Sequence, residues 1–193
     1  MRRILRLLAC GAVVLSLVAC TPTGRAVGDT QDSMPSIAHD STHKTDITVG
    51  LVGSTDTAAD KKAIDALADD TLNVYYASLD TPGDSETADK IAATAQQGVT
   101  DFVDRAVKIV IISGIDVTDA NRDSWNQALT NAREAGIPVA LLNPKHAPED
   151  ELLYAAILNT DDAASAKSVS IADAVITITR DEPHDRTIAV ATE

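Results

Sequence analysis

Short apolar runs alternate with segments of helical periodicity along most of the chain, and this alternation restricts the fold more than any other feature of the sequence. The clearest helix has apolar residues at steps of three and four from Ala88 to Ala106. The run that follows it, 107–112, is almost free of polar residues, as expected of a parallel strand covered on both faces. The other predicted strands are 47–52, 72–79, 137–142 and 153–158, and the other predicted helices of this part are 59–70 and 118–135.

This order of elements predicts an α/β fold built on a doubly wound parallel sheet, because each right-handed crossover between parallel strands places a helix on one face of the sheet. Ligands of such sheets bind beyond the carboxyl ends of the strands, where the strand order reverses. Polar loops stand at three of these predicted ends, and their carboxylate and amide groups would suit a hydroxylated solute. The candidate ligand-binding residues are Ser54, Thr55, Asp56, Asp116, Asn143 and Lys145.

Each of these side chains has an ordinary structural interpretation as well. Asp56 and Asp116 both precede predicted helices, where a carboxylate commonly caps the first turn. An enzyme, such as a hydrolase that uses this pair of carboxylates, is the catalytic alternative. The sequence has no dinucleotide fingerprint, phosphate loop or nucleophile elbow, and we interpret His146 and His184 as surface residues. We therefore predict a protein that is not an enzyme and has neither a metal site nor a cofactor.

The balance of charge argues against nucleic acid as a partner. The chain has 16 basic and 29 acidic side chains, a formal net charge of −13, and no basic segment long enough to follow a phosphate backbone.

The N-terminus predicts export from the cytoplasm. Residues 1–6 are basic and 7–19 are almost wholly apolar, which is the layout of a secretory signal peptide, and a run of this length is short for a membrane-spanning helix. Residues 17–20, Leu-Val-Ala-Cys, resemble the bacterial lipobox, in which the cysteine is diacylated after cleavage. We therefore predict lipidation of Cys20 and a location at the extracytoplasmic face of the cell membrane. An ordinary signal peptide with a coincidental cysteine is the alternative.

Residues 20–46 predict a flexible tether. They are rich in Thr, Ser, Asp, Gly and Pro and show no apolar periodicity. Such a segment would hold the domain away from the membrane.

The order of these features resembles the N-terminal lobe of periplasmic-binding-protein-like (type I) sugar-binding lipoproteins. Residues 134–139, Glu-Ala-Gly-Ile-Pro-Val, resemble the family's usual helix-to-strand junction, and 159–161, Asn-Thr-Asp, resemble the motif before its crossing to the second lobe. The resemblance covers roughly 47–161 and implies a flavodoxin-like strand order. It also implies a solute receptor that binds a sugar or similar small polar solute, with the permease of an ABC importer as its partner.

Several positions depart from the family pattern. Thr57 and Ala58 stand where the family's first loop brings an aromatic ring to a sugar, and Asn143-Pro144 stands where it often has Asp-Arg. Lys145 has no planar fork to replace the arginine. The resemblance implies that 162–193 begins a second lobe, with a helix at 163–178 and a strand at 187–191, of which the chain holds only this start.

An accessory lipoprotein that docks on a permease or on a separate lobe is therefore the alternative binding function. An apolar surface patch on the cleft side would favour docking, whereas a concave polar pocket would favour a solute.

Overall fold

Strands and helices alternate along the residues that the structure, a computed structural model, describes; these are 24–30, 43–79, 88–161 and 167–192. The strands are β1 Thr48–Val52, β2 Asn73–Ala77, β3 Ile109–Ser113, β4 Val139–Leu142, β5 Ala156–Asn159, β6 Val169–Ser170 and β7 Thr187–Ala191. The helices are α1 Thr57–Asp69, α2 Ala88–Asp104, α3 Arg122–Glu134 and α4 Ile171–Thr179, with two short 3₁₀ turns at Lys44–Asp46 and Glu151–Leu153. Each of the five strands predicted for 47–158 is present, with ends shifted by no more than three residues.

The described strands form a seven-stranded sheet in the order β2-β1-β3-β4-β5-β7-β6, and all neighbours are parallel. The first five follow the flavodoxin-like order, so the predicted fold class is confirmed. The chain reverses its direction of winding between β1 and β3, which places the switch point of the sheet there. No helix in the described ranges has the length and apolarity needed to cross a bilayer.

The core lies in two layers, one on each face of the sheet. Along β3, Ile109 and Ile111 pack with α1 and α4, whereas Val110 and Ile112 pack with α2 and α3. All five residues of β3 are buried, which is why this stretch of sequence shows no alternation of polar and apolar residues.

The C-terminal segment continues this sheet. β7 pairs with β5, and Ile171 and Ile178 of α4 are fully buried in the same core layer as Leu67 of α1. The expectation that 162–193 begins a second lobe is therefore wrong for residues 167–192. The physical reason is that α4 has an apolar face that covers the sheet beside α1. The predicted helix at 163–178 is observed at Ile171–Thr179, and 162–166 lie outside the described residues.

Residues 24–30 pack against the amino-terminal edge of the sheet, where each strand begins. Ala26, Asp29 and Thr30 are each at most 5% exposed. One carboxylate oxygen of Asp29 accepts a hydrogen bond from Arg186 at 2.5 Å, and the guanidinium of Arg186 also lies over the Tyr154 ring at 4.3 Å. The prediction of a flexible tether over 20–46 is therefore wrong for 24–30, because an ion pair and packed side chains hold this segment to the domain.

We expect Asp29→Ala to lower the free energy of unfolding by about 2 kcal/mol, because Arg186, whose side chain is 22% exposed, loses its charged acceptor. Urea denaturation measures this change. Asp65→Ala is the matched control: it breaks the exposed ion pair with Lys61 and should cost at most about 0.5 kcal/mol. Equal effects of the two substitutions would show that 24–30 does not stabilise the domain.

Candidate functional site

Two adjacent cavities open at the carboxyl-terminal edge of the sheet. The larger cavity, of about 600 Å³, lies beside the start of α1 and over the ends of β3, β4, β5 and β7. Its wall consists of Asp56, Ala58, Ala59, Lys62, Ser113, Leu142, Asn143, Thr160, Ala191 and Thr192.

The smaller cavity, of about 140 Å³, lies at the switch point between β1 and β3 and on the side of α2 and α3. Its walls are largely apolar and include the buried ring of Trp125. The predicted residues at its rim are Ser54, Thr55, Asp116 and Lys145, whereas Asp56 and Asn143 line the larger cavity. The structure therefore places all six predicted residues at the same edge but divides them between two cavities.

A fully buried carboxylate, Asp60, organises the loop after β1. Its Oδ2 accepts hydrogen bonds from the Ser54 backbone N–H at 2.6 Å and from the Tyr76 hydroxyl at 3.1 Å, and its Oδ1 accepts one from the Ser54 hydroxyl at 3.0 Å. A Cβ atom at Gly53 would lie 2.8 Å from Asp60 Oδ2 and 2.6 Å from the Tyr76 hydroxyl oxygen, so any larger residue there would displace these side chains. The hydroxyl of Ser54 thus positions the loop.

Asp56 caps α1 and still faces the larger cavity. Its Oδ1 accepts a hydrogen bond from the Ala59 backbone N–H at 3.0 Å, as the capping interpretation predicts. Its Oδ2 has no hydrogen-bond partner within the described part of the chain. This second oxygen is therefore an available acceptor at the wall of the cavity.

Asp116 has a different role, because it does not cap α3. Its carboxylate lies 2.7 Å from Nδ1 of His146, and its carbonyl oxygen accepts a hydrogen bond from the Asn121 amide at 3.1 Å. The other end of the Asn121 amide accepts a hydrogen bond from the Thr118 N–H at 2.8 Å. The loop before α3 is therefore held by Asn121, and the helix begins at Arg122 rather than at the predicted residue 118.

Asn143 joins the ends of β4 and β5. It adopts a left-handed backbone conformation, with φ of 46°, and its amide donates to the Thr160 hydroxyl at 2.7 Å and accepts from the Thr160 N–H at 2.9 Å. Lys145 lies at the rim of the smaller cavity, and its ammonium group forms no ion pair with any described residue.

Ser113 is a site residue that is not among the six candidates predicted from the sequence. It ends the buried strand β3, is 7% exposed, and lines both cavities. The alternation of β3 directs its side chain toward the side of Ile109 and Ile111, where the larger cavity lies. Its hydroxyl forms no hydrogen bond among the residues described and is therefore open to a partner in the cavity. A polar residue that ends an otherwise apolar strand is the sequence signal that could have identified it.

The geometry does not bring together the carboxylates proposed for a hydrolase. Asp56 lines the larger cavity and Asp116 the smaller one, and each already has a partner in the protein. Within the described ranges, no group of three or more His, Cys, Asp or Glu side chains is arranged to hold a metal ion. The exposed large apolar side chains are spread over three elements rather than gathered beside the cavities; they are Tyr75, Tyr76, Leu152 and Val169.

The chain is similar to several proteins of known structure. No protein-family model and no curated protein matches the chain. A galactofuranose binding protein is 22% identical, with a TM-score of 0.45, and the match covers 63% of this chain and 38% of that protein. The periplasmic binding component of the arabinose ABC transporter from Shewanella sp. ANA-3 is 17% identical, with a TM-score of 0.45 and coverage of 62% and 37%. A pilus assembly-related protein from Burkholderia pseudomallei is 19% identical, with a TM-score of 0.45 and coverage of 75% and 97%. The match thus spans less than two fifths of the length of these two sugar-binding proteins.

We expect Asp60→Ala to lower the free energy of unfolding by about 3 kcal/mol, because the Ser54 N–H and the Tyr76 hydroxyl lose a charged acceptor in a buried place. Asp60→Asn keeps one acceptor oxygen and should cost less. Asp69→Ala, at the exposed opposite end of α1, is the matched control and should change stability by at most about 0.5 kcal/mol. A urea series in which Asp60→Ala behaves like Asp69→Ala would remove Asp60 from this role.

Proposed function

We propose that the domain binds a small hydroxylated solute, a sugar or a similar polar molecule, in the larger cavity. The observation that carries this proposal is Ser113, a residue only 7% exposed that lines the cavity and whose hydroxyl has no hydrogen-bond partner among the described residues. Because this hydroxyl can donate and accept hydrogen bonds, a solute hydroxyl in the cavity can pair with it.

The remaining groups of the cavity wall suit the same class of ligand. Asp56 Oδ2 can accept a charge-assisted hydrogen bond from a solute hydroxyl, and the ammonium group of Lys62 can donate one. A serine hydroxyl can do either, so donors and acceptors converge on one space. The volume of about 600 Å³ lies within the range of small-molecule sites.

The same wall favours binding over catalysis. Asp56, Lys62 and Ser113 offer hydrogen bonds, and the hydrolase pair Asp56 and Asp116 is divided between the two cavities. The absence of one large apolar patch beside the cavities on the described surface favours a solute over docking to another protein.

We further propose that the chain is a membrane-anchored receptor that works with the permease of an ABC importer. The support is the N-terminal sequence, in which a basic segment and a short apolar run precede Cys20, together with the resemblance of 47–161 to sugar-binding lipoproteins. Residues 1–23 lie outside the described part of the structure, so acylation of Cys20 is tested by mass spectrometry of the protein isolated from membranes. A free Cys20 thiol in that protein would contradict the anchor.

Solute binding is tested by isothermal calorimetry with a panel of pentoses and hexoses. We expect Ser113→Val to weaken binding of the sugar that binds best by at least about tenfold, because it removes the hydroxyl and fills part of the cavity. The unfolding free energy of the Ser113→Val variant should not fall, since the Ser113 hydroxyl has no partner to lose within the described residues. Asp56→Asn should also weaken binding while keeping the helix cap.

Thr100→Val is the matched control, because the Thr100 hydroxyl bonds to the Gln96 carbonyl on α2, away from the larger cavity. It should leave the affinity unchanged. The proposal fails if no sugar of the panel binds, or if Ser113→Val and Thr100→Val bind the sugar equally well.

A further inference from the structure

The packing of residues 24–30 restricts how the domain can be attached to a surface. We infer that this segment acts as a docked spacer, which holds the amino-terminal edge of the sheet toward the bilayer and directs the candidate solute site away from it. The inference rests on the lipid anchor at Cys20 that is part of the proposed function.

The contacts of the segment all lie at the amino-terminal edge of the sheet. Besides the pairing of Asp29 with Arg186, which precedes β7, the Arg25 carbonyl accepts a hydrogen bond at 2.6 Å from Arg133 in the last turn of α3. The Gly28 carbonyl oxygen lies 2.8 Å from Nε2 of His184, which follows α4.

The backbone at Gly28 is also packed so closely against the domain that a larger residue would clash there. A Cβ atom at Gly28 would lie 2.9 Å from Cβ of Pro138, which precedes β4, and 3.0 Å from Cγ2 of Ile178 in α4. The hydroxyl of Thr30 donates to the Glu182 carbonyl. Buried side chains, an ion pair and hydrogen bonds to the loop before β7 and to the last turn of α3 therefore fix both ends of the segment.

The distance from this docked segment to Cys20 is short in any conformation. Gly24 is four positions after Cys20, and a fully extended chain over four such steps spans at most about 14 Å. An acylated Cys20 would therefore keep the amino-terminal edge within about 14 Å of the lipid headgroups. Both cavities open at the opposite edge of the sheet, so in this attachment they face the surrounding medium.

This orientation has a consequence for transport. A cavity that faces away from the bilayer can collect a solute from the medium, but it cannot present that solute to a permease in the same membrane. Delivery would require release of 24–30 from Arg186 and His184, so the strength of this docking would control when the domain can turn.

The experiment uses the mature lipidated protein in phosphatidylcholine vesicles with acceptor fluorophores on the lipid headgroups. The sequence contains only Cys10 and Cys20, so after cleavage and acylation an introduced cysteine is the only free thiol. Donor fluorophores are placed at Lys108→Cys, at the amino-terminal edge, and at Asp119→Cys, at the carboxyl-terminal edge; both positions are exposed. The two edges are separated by at least about 16 Å, the length of a five-residue strand.

We expect energy transfer to the headgroups to be at least about twofold stronger from Lys108→Cys than from Asp119→Cys, because transfer falls steeply over the added distance of about 16 Å. Asp29→Ala should reduce this difference, whereas Asp65→Ala should keep it. Inserting a flexible Gly-Ser linker of about 20 residues before Gly24, with a mean span of about 25 Å, should abolish the difference without touching the fold.

Two results would overturn the inference, and they are distinguishable. Equal transfer from both positions, in protein that floats with the vesicles, would contradict the orientation and leave the anchor intact. Protein that does not float with the vesicles would contradict the anchor itself, and the orientation with it.

Discussion

The burial of β3 on both faces is the constraint on which the rest of the structure depends. A strand with five buried residues requires a parallel neighbour on each side and a helical layer on each face. The parallel neighbours of β3 are β1 and β4. One face is covered by α1 and α4, and the other by α2 and α3. The same strand ends at Ser113, the only polar residue in it, which therefore lies between the two cavities at the carboxyl-terminal edge.

The elements that depend on apolar pattern could be predicted from the sequence, and those that depend on polar contacts between distant residues could not. The strands up to residue 159 follow from β-branched runs, and the Asp56 cap follows from its place before α1. The role of Asp60 could not be foreseen, since an acidic residue in the first turn of a helix is ordinary and its burial depends on Tyr76 from β2.

Two segments were predicted wrongly for related reasons. Residues 24–30 lack any periodicity, yet Asp29 pairs with Arg186, 157 positions later in the chain. Residues 167–192 were expected to start a second lobe because of the family resemblance, but their apolar helix covers the first sheet. In both cases a long-range contact decided the outcome, and local sequence carries no information about such a contact. Residues 24–30 therefore pack at the amino-terminal edge of the sheet, and β7 extends the sheet itself.

We propose that a hydroxylated solute binds in the larger cavity, which Ser113, Asp56 and Asn143 line. NMR amide spectra of the mature protein, recorded with increasing concentrations of individual pentoses and hexoses, test this proposal. We expect one or more of these sugars to shift the amide signals of 54–59, 113–114, 143 and 160, while those at the amino-terminal edge remain in place. Spectra that none of the sugars changes, or shifts confined to residues far from the larger cavity, would contradict it.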